Sequence, residues 1–228
     1  MIKDNVAHIQ GRISTICKRL GRDPKEITLV GITKYVNDAK IAELVDAGVA
    51  HIGENRVQDA QAKFVNLSDL SFTKHMVGHL QTNKVKVAID LFDLIHSVDS
   101  RKIAWEIEKQ AAKKNKTVNV LLQVNTAFEE QKYGLAPDEV FPLMDEAAQL
   151  PHVRILGLMT MAPLVDNLEV VGSCFRDLQK LFEQAKERYA HVDTIEMKHL
   201  SMGMTSDFPM ALEAGANMLR IGRALFKE

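Results

Sequence analysis

The chain has 228 residues, of which 46% are apolar and 26% charged, and its formal net charge is −1. That composition suits one large hydrophobic core; it excludes a disordered chain and gives no general electrostatic attraction to nucleic acid or anionic membrane. No apolar run is long enough to span a bilayer, and Met1-Ile2-Lys3-Asp4-Asn5 puts acid and amide where a signal peptide needs a continuous apolar region.

In chain order, Ile2, Val6, Ile9, Ile13, Ile16, Cys17 and Leu20 fall on one helical face, stopped by Gly21. Asp23-Pro24 opens a short turn. Ile27 to Lys34 is apolar and β-branched-rich, and reads as a buried parallel strand that ends in a lysine. Asn37 or Asp38 caps a helix through Ile41, Leu44 and Val45, stopped by Gly48. Val49 to Ile52 is a second strand and Gly53-Glu54-Asn55 its loop, before a helix carrying Val57, Ala60 and Phe64. Phe72 to Val77 is the third strand, followed by Gly78-His79-Leu80-Gln81 and a helix over Thr82 to Ile89. Leu91 to His96 is the fourth, with Asp99 or Ser100 capping the next helix. Val118 to Val124 is the fifth, and Pro137 opens its helix; Val153 to Met159 is the sixth, with a helix over Leu168 to Tyr189. Thr194 to His199 is the seventh, with a helix ended by Gly215, and Met218 to Ile221 is the eighth, before Gly222-Arg223 and a short last helix. Cys17 and Cys174 lie far apart in helical patterns, as reduced residues of a cytoplasmic protein do, and no C-x-x-C or histidine pair has metal-ligand spacing.

Eight strand–helix units behind one extra N-terminal helix, without hairpin signals or a linker, predict an α/β fold: a single (β/α)8 TIM barrel over residues 1–228. An open doubly wound sheet is the alternative, and its usual G-x-G-x-x-G turn is absent. In a barrel the strand ends form the working face. Lys34 then stands at the mouth, either as a desolvated, nucleophilic amine or simply where the strand reaches water. Barrels often hold phosphate in the loops after strands seven and eight. Here those loops contain Ser201-Met202-Gly203-Met204-Thr205 and Arg220-Ile221-Gly222-Arg223. Gly203 and Gly222 permit close backbone approach, Ser201 and Thr205 supply hydroxyls, and a helix start after Thr205 favours an anion; the glycines are otherwise ordinary turn glycines. A phosphate anchor opposite a reactive lysine is what pyridoxal phosphate requires. Arg220, two residues before Gly222, either faces the ring of such a cofactor or is solvated. An arginine stays protonated, so a ring nitrogen facing it remains an acceptor and the ring a weaker electron sink.

Seven segments carry a resemblance: VGITK at 30–34, HIGENRVQDA at 51–60, HMVGHLQTNK at 75–84, N-x-x-x-E-x-x-K-x-G at 125–134, GLMTMAP at 157–163, LSMGMTSDF at 200–208 and RIGRALF at 220–226. Their order and spacing resemble the pyridoxal phosphate homeostasis proteins, the YggS/PROSC family, which are similar to the N-terminal barrel domain of alanine racemases. The resemblance implies an internal aldimine on Lys34, a phosphate held by Ser201, the amides around Gly203, Gly222 and Arg223 with Thr205 nearby, and Arg220 facing the pyridine nitrogen. It implies Asn55 beside the ring or its 3′ oxygen, and Met159 either near the cofactor or in the barrel core. Thr205 stands where many relatives are expected to have serine, and keeps the hydroxyl. His79 is read as a local hydrogen-bonding group or a cofactor contact, His199 as packed and hydrogen-bonded, and Glu129 with Lys132 as a solvated pair.

Racemases carry a second, mostly β domain and a tyrosine supplied across their dimer as an opposed base, whereas this chain ends at Glu228 directly after the barrel. Racemisation needs proton transfer at both faces. The resemblance therefore implies a non-enzymatic carrier that holds pyridoxal 5′-phosphate reversibly in vitamin B6 and amino-acid homeostasis, as a monomer or weak homodimer, with transient contact with apo-enzymes as an extension. A small amino-acid racemase or lyase, and a barrel scaffold that binds a partner protein, are the alternatives.

Overall fold

The computed structural model describes residues 1–127 and 133–227. Eight strands follow one another in order and close into a barrel: β1 (Thr28–Ile32), β2 (His51–Glu54), β3 (Thr73–Met76), β4 (Leu94–Val98), β5 (Val118–Gln123), β6 (Val153–Met159), β7 (Ile195–Ser201) and β8 (Met218–Ile221). All pairs are parallel, and β1 closes on β8 with Val30 opposite Arg220 and Gly31 opposite Ile221. The helices are α1 (Ile2–Arg19), α2 (Asp38–Asp46), α3 (Val57–Asn66), α4 (Val85–Leu91), α5 (Arg101–Ala112), α6 (Val140–Ala147), α7 (Leu168–Arg188) and α8 (Phe208–Glu213). The TIM barrel and its extra N-terminal helix are as the sequence predicts.

Two strands, β2 and β4, begin two or more residues later than the sequence suggests, for one reason. Val49 N donates to Leu44 O and Phe92 N to Ala88 O, so the residues expected to start β2 and β4 still close the preceding helices. At the other end β7 runs on to Ser201, which pairs with Met159 and Met218. In β6, Gly157 has φ +143, and an added Cβ would lie 1.9 Å from His199 O. Only glycine allows this approach, where the β6–β7 register shifts.

Strand alternation divides the interior from the outer layer. Leu29, Gly31, Leu219 and Ile221 face helices, whereas Val30, Leu94, Leu121, Met159 and Met218 meet inside the barrel. That apolar cluster fills only part of the interior. His75, His96, Ser201 and Arg220 fill the rest as buried polar side chains.

The N-terminal helix lies alongside the barrel. It buries Ile2, Val6, Ile9, Ile13 and Cys17, each aliphatic side chain contributing roughly 1.5–3 kcal/mol. Asn5 Nδ2 donates to Leu225 O at 3.2 Å and Lys227 O at 2.9 Å. Arg22, just beyond α1, donates to Leu212 O at 2.9 Å and Ala216 O at 2.7 Å. The Asn5 bonds steady the C-terminal turn that follows β8, and the Arg22 bonds hold the end of α8 and the turn into β8. Among the described residues no helix is long and apolar enough to cross a membrane.

Candidate cofactor site

Val30 and Ile32 of β1 point into the barrel, so the two-residue period places Lys34 on that side just past the strand. There the chain turns, Val36 N donating to Thr33 O at 3.0 Å. Lys34 is exposed, and its Nζ lies 5.1 Å from the centre of the Tyr35 ring. Of the two readings of Lys34, the structure matches the strand end in water: β1 stops at Ile32, and the lysine stands at the rim. Its anchor is buried. Thr33 Oγ1 donates to Glu54 Oε1 at 2.5 Å, and Lys63 Nζ donates to Glu54 Oε1 and to Thr33 O, both at 2.7 Å. A buried ion pair therefore fixes the residue next to Lys34.

Lys34 lines a cavity of about 420 Å³ together with Ile32, Asn37, Gly222, Arg223 and Phe226. A Cβ added at Gly222 would make only ordinary van der Waals contact, 3.4 Å from Ile32 Cβ, so packing does not require glycine at this point of the cavity wall. Arg223 is exposed and lines the same cavity. The turn after β7 differs. Gly203 has φ +93 and an added Cβ would lie 2.6 Å from Ala211 Cβ, so packing of α8 already requires glycine. In the turn before α8, Asp207 Oδ1 accepts from Met204 N at 2.5 Å, and α8 itself is only six residues long. The chain's own carboxylate occupies that donor. Thr205 is half-buried and its hydroxyl makes no hydrogen bond among the described residues.

Ser201, expected in the loop, is the last residue of β7, and its hydroxyl is buried inside the barrel. It accepts from Arg220 Nη1 at 2.7 Å, while Arg220 Nη2 donates to Thr160 O at 2.7 Å. Arg220 is 4% exposed, which excludes the solvated reading. Burial pulls its pKa down to about 10, so it remains a cation at neutral pH. Both partners, a hydroxyl and a backbone carbonyl, are neutral, so this buried charge has no carboxylate in hydrogen-bond contact among the described residues.

Asn55 stands elsewhere. It lines a larger cavity of about 710 Å³ with Arg56, Gly78, His79, Lys84 and Tyr133, and its buried Oδ1 lacks a hydrogen-bond donor. Size alone would favour this cavity. However, neither the β7 nor the β8 turn lines it, whereas the β8 turn lines the smaller one. Met159 is fully buried in the interior apolar cluster. His79 Nδ1 meets Asp99 Oδ2 at 2.7 Å and its ring stacks 3.7 Å from that of Tyr133. His199 is packed, but its ring makes no hydrogen bond among the described residues. The pair expected at Glu129 and Lys132 lies outside the described residues.

Sequence reading missed the interior histidines and the Glu54–Lys63 pair. The signal was present: His75 sits between Lys74 and Met76, and His96 between Ile95 and Ser97, at positions whose neighbours alternate toward the helices.

The model of the alanine racemase N-terminal domain family matches residues 5–228. The chain is 40% identical to a pyridoxal phosphate homeostasis protein of Aquifex aeolicus (strain VF5), covering 99% of this chain and 97% of that one. It is 37% identical to the protein of that name from Escherichia coli (strain K12), covering 99% and 95%. The chain belongs to the pyridoxal phosphate homeostasis protein family. Among solved structures, this family member superposes on PipY of Synechococcus elongatus PCC7942 with pyridoxal phosphate bound, at a TM-score of 0.85 and 32% identity, over 100% of both chains. An alanine racemase of Clostridium difficile, at a TM-score of 0.76 and 16% identity over 99% of this chain and 60% of that one, shares the fold.

Proposed function

We propose that residues 1–228 form one unit that binds pyridoxal 5′-phosphate at the mouth between β1 and β8, and holds it reversibly through Lys34 as an intracellular store. One observation carries this reading: the Lys34 amine and the Gly222-Arg223 turn line the same cavity, in a chain whose relatives carry the name pyridoxal phosphate homeostasis protein. The cofactor supplies an aldehyde with which a primary amine condenses reversibly, losing one water.

Each residue then has a part. Lys34 is the amine, its backbone fixed through Thr33 by Glu54 and Lys63. Gly222 and Arg223 offer backbone N–H groups to the phosphate, with Thr205 and the Gly203 turn beside them. Arg220 donates toward the ring nitrogen, and Ser201 holds Arg220 rather than the phosphate. Asn55 Oδ1, a buried acceptor without a donor in the larger cavity, suits the hydroxyl of a ring that reaches from the Lys34 cavity toward it. Met159 closes the floor.

The same chemistry favours storage over turnover. A permanently protonated guanidinium leaves the ring nitrogen an acceptor, and the ring then draws electrons weakly. The relatives are likewise named for homeostasis and not for a reaction. The reading places the protein in the cytoplasm, where buried Cys17 and Cys174 stay reduced, and extends to transfer of the cofactor to apo-enzymes. Absorbance titration should give one pyridoxal phosphate per chain, and assays across amino-acid enantiomers should give no turnover above the free cofactor. Sustained turnover lost in Lys34→Ala would replace the store with a catalyst.

A further inference from the structure

Three histidines cross the barrel interior in a continuous hydrogen-bonded line. His51 Nδ1 lies 3.0 Å from His75 Nε2, His75 Nδ1 lies 2.9 Å from His96 Nε2, and His96 Nδ1 lies 3.2 Å from Ser201 Oγ. Arg220 ends the line on Ser201. A neutral imidazole has one donor and one acceptor nitrogen, so each link fixes the next. Only two proton orders leave no link with two donors or two acceptors.

In one order the Ser201 hydroxyl donates to His96, His96 Nε2–H to His75, and His75 Nε2–H to His51. In the other, every ring donates the opposite way and Ser201 accepts from both His96 and Arg220. Its own proton then has no acceptor among the described residues, inside a fully buried site. The first order is therefore the stable one. Burial keeps the line neutral: the His75 pKa is pushed down to about 3, and that of His96, beside His75 and the Arg220 charge, well below the ordinary value.

We propose that His51, His75 and His96 are positioning residues for Arg220: a proton-ordered line of Nε2–H tautomers that takes up the Ser201 proton, so that Ser201 presents only lone pairs to the guanidinium. The order itself is independent of any ligand. Its consequence for pyridoxal phosphate rests on the reading of Arg220 given above.

Nitrogen-15 NMR of the histidine-labelled, ligand-free chain tests the order directly. Nε2–H protonation is expected at all three rings; Nδ1–H protonation, or averaged shifts, at His75 or His96 overturns it. The link to Arg220 is read in two variants. In His96→Gln, which keeps one acceptor and one donor, the slowly exchanging Arg220 guanidinium signals should persist, and the Kd for pyridoxal phosphate should stay within about threefold of the native value. In His96→Leu those signals should broaden, and the Kd should rise about tenfold or more with a changed absorption maximum. Unchanged Arg220 signals in His96→Leu would reject the positioning role, even if the variant were less stable. Failure of the native chain to bind pyridoxal phosphate would overturn the functional reading, leaving tautomers and Arg220 signals to decide the proposal. Should His96→Leu not fold, the native tautomers and the Arg220 signals of His96→Gln decide it.

Discussion

The two cations of the candidate site live in opposite surroundings. Lys34 is exposed at the rim, past the end of β1, and among the described residues its side chain makes no hydrogen bond or ion pair, only a ring contact with Tyr35. Arg220 is 4% exposed inside the barrel, and both terminal nitrogens are bonded to fixed oxygens. A lysine amine that must find and release an aldehyde needs access and rotational freedom. A guanidinium that orients a ring needs neither, and gains from being held. Stability and chemistry are thus divided between the two residues, and substitutions should separate them.

The sharpest break is Lys34→Ala. It should abolish the visible absorption of bound cofactor, yet leave the Tm unchanged, because an exposed side chain with no hydrogen bond contributes little to folding. Arg220→Ala should do the reverse in part. It removes a buried side chain and leaves Thr160 O and Ser201 short of a donor, which destabilises by roughly 3 kcal/mol in chemical denaturation. It should weaken cofactor binding, but a covalent adduct on Lys34 should still form.

Acid probes the interior side of the comparison. His75 and His96 are held neutral when folded, with pKa values below the usual 6.5, so the unfolded chain binds more protons as pH falls below 6.5. The stability they contribute is fully present above pH 6.5. For His75 it is lost progressively from there down to its folded value of about 3. Each ring should steepen the loss by up to about 1.4 kcal/mol per pH unit, visible as falling urea midpoints between pH 7 and pH 5. The smallest effect is expected at Arg223. Its side chain is exposed and its role is through the backbone, so Arg223→Ala should change the Kd for pyridoxal phosphate less than about threefold.

Much of this was legible in the sequence, for identifiable reasons. β6 and β8 were predicted to the residue, because apolar runs bounded by Pro, Gly and Arg leave little freedom. Lys34, Gly222 and Arg223 were predicted at one mouth, and the β1–β8 closure puts them there. The depth of side chains was not legible. The sequence left Lys34 between a desolvated amine and a strand end in water; it is exposed, because one turn after Ile32 decides it. Ser201 was expected in a loop and is interior, because strand ends depend on pairing with Met159 and Met218. Asn55 lines a different cavity from Lys34, a separation no linear spacing shows. The histidine line was invisible for the same reason: its members lie 24, 21 and 105 residues apart.

The central claim is that the rim lysine closing the β1 turn carries the cofactor. Borohydride reduction of the pyridoxal phosphate-loaded chain, followed by peptide mapping, tests it most directly. One stable adduct per chain, on Lys34, is the predicted result. A principal adduct on Lys84, in the larger cavity, or on any other lysine would contradict the account.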